Sequence, residues 1–128
     1  MNLLLDTHVL LWWDGSDPRL ARAAAEAIAD RRNTVYVSAA SPWEIAIKAR
    51  KGKLAFRGSP SPLLEVYGFL GLPISLAHAE RAGALDWDHP DPFDRMLVSQ
   101  ALEDNLVLVH ADESIRAFDG VSQLWARA

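Results

Sequence analysis

Short apolar runs recur along this chain, and each is separated from the next by a stretch with helical character. Residues 2–5, rich in leucine, read as a buried strand that ends at Asp6. Residues 7–13 are predicted as a short helix, closed by the Asp14-Gly15-Ser16-Asp17-Pro18 turn. The alanine-rich segment 19–30 is expected to be helical, and the β-branched, aromatic segment 34–37 to be a strand. Ser41 opens a helix running to about Lys51, where Gly52 stops it. After a Gly/Ser/Pro segment at 57–62, a helix is predicted over 63–70, a weak strand over 72–76 and a helix over 77–85. An acidic, proline-bearing loop at 86–92 leads into an amphipathic helix at 93–103, with Leu97, Val98, Ala101 and Leu102 on one face. The unbroken Leu-Val-Leu-Val at 106–109 is the clearest buried strand; a short helix near 114–118 and a strand at 123–125 complete the pattern.

Strands thus alternate with helices throughout. The expected fold class is α/β: a single three-layer α/β/α domain over residues 1–128, with a central parallel sheet and right-handed crossovers. In such sheets the functional crevice lies outside the carboxyl ends of the strands.

Composition supports a globular chain. Of 128 residues, 50% are hydrophobic and 23% charged, which excludes disordered and low-complexity classes. The absence of cysteine excludes a disulfide scaffold and a thiolate metal site, and fits a reducing cytoplasm. Residues 1–13 are apolar but lack a basic n-region and are interrupted by Asp6 and His8, so no secretory signal is expected. No run approaches the roughly 20 apolar residues that a membrane span needs, so no membrane is expected among its partners.

Two acids fall where the crevice is expected. Asp6 follows the first strand directly, and Asp112 follows the strand at 106–109 after a His110-Ala111 step. Glu44 and Asp94 fall near the starts of two helices. Four converging carboxylates repel one another, and a divalent cation removes the conflict. An all-oxygen set suits Mg²⁺ or Mn²⁺ rather than Zn²⁺ or Cu²⁺. A cation held by carboxylates, with positions open to water and phosphate, is the usual apparatus for phosphodiester cleavage.

Each acid also has a plainer reading. Asp6 suits a strand-end turn. Glu44 completes a capping box with Ser41. Asp94 is favoured by the dipole of its helix, and Asp112 suits the cap of the next one. Asp91 either shares a face with Asp94 or is a loop acid. Among the histidines, His8 reads as a packing residue, His89 as a solvated loop residue, and His110 as lying close to the pocket. No Ser/His/Asp elbow, P-loop or GxGxxG is present.

The ordered set resembles a known family. Leu4-Leu5-Asp6-Thr7-His8, Ser41-Pro42-Trp43-Glu44-Ile45, Asp91-Pro92-Phe93-Asp94-Arg95 and Leu108-Val109-His110-Ala111-Asp112 are similar to the four acidic motifs of PIN-domain ribonucleases. The Trp-Glu-Ile and Asp-Pro-Phe-Asp-Arg forms look like the VapC-type toxins of bacterial type II toxin–antitoxin pairs. The resemblance implies a Mg²⁺- or Mn²⁺-dependent endoribonuclease in which Asp6, Glu44, Asp94 and Asp112 form the metal pocket. Asp6 and Asp94 would be its most direct ligands and Thr7 would help to orient the site. It further implies a cognate antitoxin whose tail blocks the pocket, an RNA substrate and a homodimer. The fourth motif usually carries Thr or Ser where this chain has His110, which leaves the support of Asp112 open.

Charge is unevenly distributed. The net charge is −4, yet residues 45–64 carry Lys48, Arg50, Lys51, Lys53 and Arg57 and no acid. Residues 86–104 are net five negative. Cations beside an acidic pocket suit metal-assisted RNA cleavage, which makes Lys48, Lys51 and Arg95 candidates for RNA contact. Lys48 equally suits an i,i+4 pair with Glu44, and Arg95 a pair with a neighbouring acid. Trp12 and Trp13 cannot both face inward from one helix, so an exposed member is expected to mark a dimer or antitoxin surface. The alternative to an enzyme is a non-catalytic RNA- or protein-binding module on the same fold, whose signature would be loss of a pocket acid. A phosphatase-like site is disfavoured, because Asp6-Thr7-His8 lacks a second carboxylate two positions on.

Overall fold

The computed structural model describes residues 1–128. Its centre is β1 (Asn2–Leu5), whose three leucines are completely buried. Because side chains alternate across a strand, these leucines serve two cores. Leu3 and Leu5 pack with Val9, Leu10, Ala24 and Ile28 on one face of the sheet. Leu4 packs with Leu97, Val98, Ala101 and Ile115 on the other.

Around β1 the strands β2 (Thr34–Ser38), β3 (Leu70–Leu72), β4 (Val107–His110) and β5 (Gln123–Trp125) form one parallel sheet in the order β3-β2-β1-β4-β5. The order reverses at β1, between β2 and β4, and a crevice opens at such a point. Helices α1 (Thr7–Asp14) and α2 (Arg22–Ala29) cover the first face. Helix α6 (Pro92–Glu103) covers the second, with α5 (Leu76–Ala84) packed on it. Helices α3 (Ala40–Arg50), α4 (Ser61–Tyr67) and α7 (Glu113–Arg116) complete the chain. This is the α/β/α arrangement expected from the alternating pattern.

Several boundaries differ from expectation, and four of the shifts have a clear local reason. The helix expected over 19–30 begins only at Arg22, because residues 19–21 pair with the carboxyl terminus. Ala21 N–H donates to Ala126 O and Ala128 N–H to Arg19 O. The helix expected over 63–70 spans Ser61–Tyr67, since Gly68 takes a left-handed conformation (φ 71°) that ends it. That frees Leu70 to start β3, so the strand expected at 72–76 lies earlier and Pro73 ends it. Helix α3 starts ahead of Ser41, where the Ser38 hydroxyl accepts the Ala40 N–H at 3.0 Å.

The tryptophan expectation also needs correction. Trp12 is buried, with the guanidinium groups of Arg19 and Arg127 over its ring. Trp13 is half-buried against Tyr67 and Phe69. The exposed tryptophan is Trp43, at 63%.

Candidate functional site

Three of the four acids stand at carboxyl ends of strands or at helix starts, and their backbones explain why. Asp6 joins β1 to α1 and caps that helix, its Oδ1 accepting Val9 N–H at 3.0 Å. Asp112 joins β4 to α7 and caps it through Ser114 N–H and Ile115 N–H, at 2.8 and 3.0 Å. Asp94 lies in the first turn of α6. The cap of that helix is Asp91, whose Oδ1 accepts Phe93 N–H and Asp94 N–H. Asp91 is therefore the cap of α6 rather than a loop acid, and its charge reaches Asp94. For Asp6 and Asp112 the plainer capping role coexists with a place in the pocket. One oxygen serves the cap, and these capping bonds leave the other oxygen free.

Glu44 behaves differently. The capping box is absent, since the cap of α3 is Ala39 and no side chain bonds there. Glu44 is buried and both of its oxygens are engaged. Oε1 accepts the Thr7 hydroxyl at 2.6 Å and Oε2 the Lys48 ammonium at 2.6 Å. Thr7 Oγ1 also lies 3.0 Å from Ser41 Oγ. A hydroxyl has one proton, so Thr7 gives it to the carboxylate and accepts the Ser41 hydroxyl. Glu44 thereby ties α3 to the residue that follows Asp6, and Lys48 takes its i,i+4 pair with Glu44.

The electrostatics record the convergence. Burial pushes the Asp6 carboxyl from 3.8 up to about 7, with the charges of Glu44 and Asp112 adding and the Val9 N–H opposing. Burial likewise raises Asp94 to about 6; its bond to His89 opposes this, and Asp91, Asp112 and Asp6 add to it. For Asp94, burial and like charge outweigh the favourable helix dipole. Asp6 and Asp112 line one cavity of about 270 Å³ with His8 at its edge. His8 is exposed rather than a packing residue. A larger concavity of about 490 Å³ opens beside residues 28–35, but its carboxylate, Asp30, is paired with Arg32. In the Asp6–Asp112 cavity neither carboxylate has an ion-pair partner.

His89 is the residue that the linear pattern misplaced. It is half-buried, and its Nε2 lies 2.7 Å from Asp94 Oδ2. One ligand atom each from His89, Asp94 and Asp112 lies within 4.8 Å of the others. The flanking Pro90 and Pro92 were the available signal, since prolines stiffen the short link to α6. Two carboxylates and an imidazole, with a third carboxylate of raised proton affinity behind them, are a donor set that fits a divalent cation.

His110 is completely buried and does not face the cavity. Burial holds it below its ordinary value, and the neutral ring has a defined tautomer. Nδ1 accepts Asp112 N–H at 3.1 Å, so the proton is on Nε2 and faces Gln123 Oε1 at 2.7 Å. Gln123 is held in turn by donating Nε2–H to Phe118 O at 2.9 Å. The ring supplies the support for Asp112 that the sequence left open. His110→Phe keeps the edge-on stack against Trp125 but leaves Asp112 N–H unpaired. We expect it to cost about 1–3 kcal/mol in urea denaturation.

Arg95 is a correction to the RNA-contact set. Its guanidinium donates to four backbone carbonyls, those of Ala82, Leu85, Trp87 and His89, and has little left for a ligand. Lys51 is exposed, as are Arg50, Lys53 and Arg57.

The PIN domain family model matches residues 3–121. The chain belongs to the PIN-domain family. The PIN domain identity and the resemblance to VapC-type members are borne out by a curated relative, the ribonuclease VapC22 of Mycobacterium tuberculosis. That protein is 32% identical over 121 residues, which cover 91% of each chain. Solved PIN-like folds agree. VapBC2 from Rickettsia felis, bound to a DNA fragment from its promoter, superposes with a TM-score of 0.68 at 16% identity, covering 98% of this chain and 99% of that one. A toxin–antitoxin complex from Klebsiella pneumoniae gives 0.60 at 19% identity, covering 92% of each chain. FitAB bound to the IR36 DNA fragment gives 0.61 at 18%, covering 97% of this PIN domain and 94% of that chain.

Proposed function

We propose that this PIN domain is a divalent-metal-dependent endoribonuclease and the toxin of a toxin–antitoxin pair, with Asp6, Asp94 and Asp112 as its metal-facing acids. The observation that carries the reading is the convergence of these carboxylates: Asp6 and Asp112 line one cavity, and an oxygen of Asp94 lies within 4.8 Å of one of Asp112. Glu44 belongs to the same constellation as its brace: bonded to Thr7 and Lys48, it holds α3 against the start of α1. Asp91 supports Asp94 by capping its helix. Bound there, Mg²⁺ or Mn²⁺ supplies Lewis-acid stabilisation of phosphoryl charge and lowers the pKa of water in the site. The exposed Lys51 and its basic neighbours are placed to hold an RNA backbone.

Support for a ribonuclease comes from the curated relative's name, and support for an antitoxin partner from the toxin–antitoxin complexes among the structural neighbours. A homodimer is consistent with exposed Leu70 on edge strand β3 and with exposed Val66 and Leu76 on the helices before and after it. No helix is long and apolar enough to cross a membrane, and the cysteine-free chain suits the cytoplasm, where RNA and an antitoxin would meet it.

The test is incubation of a defined RNA pool with purified protein in Mg²⁺, in Mn²⁺ and in EDTA. We expect internal cleavage with either cation and none with EDTA. RNA that binds but is never cut under any cation would instead establish the binding-module alternative.

A further inference from the structure

Given that the pocket acids hold a divalent cation, we propose that His89 is itself a ligand, making the site a mixed nitrogen–oxygen one. The Nε2 to Asp94 Oδ2 distance is 2.7 Å, and a ligand atom of Asp112 completes a group spanning no more than 4.8 Å. Adjacent donors on an octahedral cation with bonds of about 2.1 Å are about 3 Å apart, and opposite donors about 4.2 Å. The His89–Asp94 pair stands near the adjacent spacing, and a shift of less than an ångström brings the Asp112 atom within the opposite one. Glu44 has both oxygens engaged, and no Asp6 oxygen falls within that group, so neither takes the place of the imidazole in it.

The ring is also held in place by more than its bond to Asp94. Its own carbonyl accepts Arg95 Nη1 at 3.2 Å, and the neighbouring Trp87 carbonyl is held by the same guanidinium. The imidazole packs on the Trp87 ring at 4.8 Å between centroids, and Trp87 packs on Phe118 at 5.1 Å. Pro90 and Pro92 restrict the link from His89 to α6. A side chain fixed by backbone clamp, ring packing and stiff linker is already placed as a donor, and a bound cation has only to release to solvent the proton shared by Nε2 and Asp94 Oδ2.

An imidazole donor changes which cations the site prefers. Nitrogen raises affinity for later divalent ions such as Ni²⁺ relative to Mg²⁺, which favours oxygen. In His89→Ala, we expect Ni²⁺ affinity measured by calorimetry to fall at least tenfold while Mg²⁺ affinity changes less than threefold.

The deciding measurement is pulsed EPR of the full chain loaded with Mn²⁺, read for nitrogen modulation from a directly bound imidazole. We expect modulation in the wild type and its loss in His89→Gln, a variant that keeps a hydrogen-bond donor toward Asp94. Bound Mn²⁺ without nitrogen modulation in the wild type would overturn the inference and leave the all-carboxylate reading intact. Modulation that persists in His89→Gln would also overturn it and point to another histidine, with His8 at the cavity edge. Restoration of Ni²⁺ affinity by His89→Gln would reduce His89 to a residue that positions Asp94. Failure of Mn²⁺ to bind would overturn this inference and the metal reading beneath it.

Discussion

Asp6→Asn is expected to abolish RNA cleavage and, in EDTA at pH 8, to make the protein more stable than the wild type. Asp6 is buried at 4% exposure and its carboxyl is raised from 3.8 to about 7. Between those values the native state holds a proton that the unfolded chain releases. The contribution of Asp6 to metal-free stability is therefore fully present below about pH 4 and is lost as pH rises through about 7. Raising the carboxyl from 3.8 to about 7 corresponds to about 4 kcal/mol, an upper bound because Asp94 and Asp112 share the same field. Asparagine removes the charge, while its Oδ1 still accepts Val9 N–H as the cap of α1. We expect a gain of about 1–3 kcal/mol at pH 8 that vanishes near pH 4, measured as Tm against pH. Added Mg²⁺ should raise the wild-type Tm more at pH 8 than at pH 5, and raise that of the variant less. Cleavage should drop by about two orders of magnitude or more. Asp94→Asn should lose activity similarly but gain less stability, since Asp94 is less buried and is bonded to His89. A variant that is less stable than wild type at pH 8 in EDTA would contradict this account of Asp6.

The largest loss of stability is expected from Arg95→Ala. One guanidinium holds Ala82 O and Leu85 O at 2.9 Å each, His89 O at 3.2 Å, and Trp87 O. It gathers the end of α5 and the whole approach to α6 onto one planar fork. Truncation removes the charge-assisted bonds and leaves the carbonyls partly unpaired, which we expect to cost about 3–5 kcal/mol in urea denaturation. Amide exchange over residues 82–91 should accelerate well beyond that of β1. Arg95→Lys should recover less than half of the loss, because an ammonium lacks the fork geometry. Full recovery by lysine would show that charge alone matters there. Cleavage should fall with either variant, because Asp94 and His89 both depend on this segment.

Much of this was legible along the chain. A buried parallel strand has to be apolar on both faces, so Leu3-Leu4-Leu5 and Val107-Leu108-Val109 announced themselves, and the helical stretches between them required crossovers. Asp6 and Asp112 followed, because Asp6 directly leaves such a strand, Asp112 leaves one after a short step, and each starts a helix. Edge strand β3 was harder to place. It has three residues, and its start depends on the left-handed Gly68 rather than on any hydrophobic period. The spacing of Ser41 and Glu44 fits a capping box as well as a pocket acid, and linear order does not choose between them. Ser38, one strand end earlier, had already started the helix.

Linear order, through periodicity and the chemistry of strand ends, was enough for the α/β alternation and for the acids that leave β1 and β4. It was silent on which side chain faces which. His89 became a neighbour of Asp94 because Arg95 collects carbonyls spread over residues 82–89. His110 became the support of Asp112 because Gln123 of a neighbouring strand pins its tautomer. Glu44 became the brace between α3 and α1 because Thr7, distant along the chain, donates to it. Each of these depends on contacts between residues distant along the chain or on a single directional hydrogen bond. Local periodicity carries no record of either, so they exist only once the sheet has assembled.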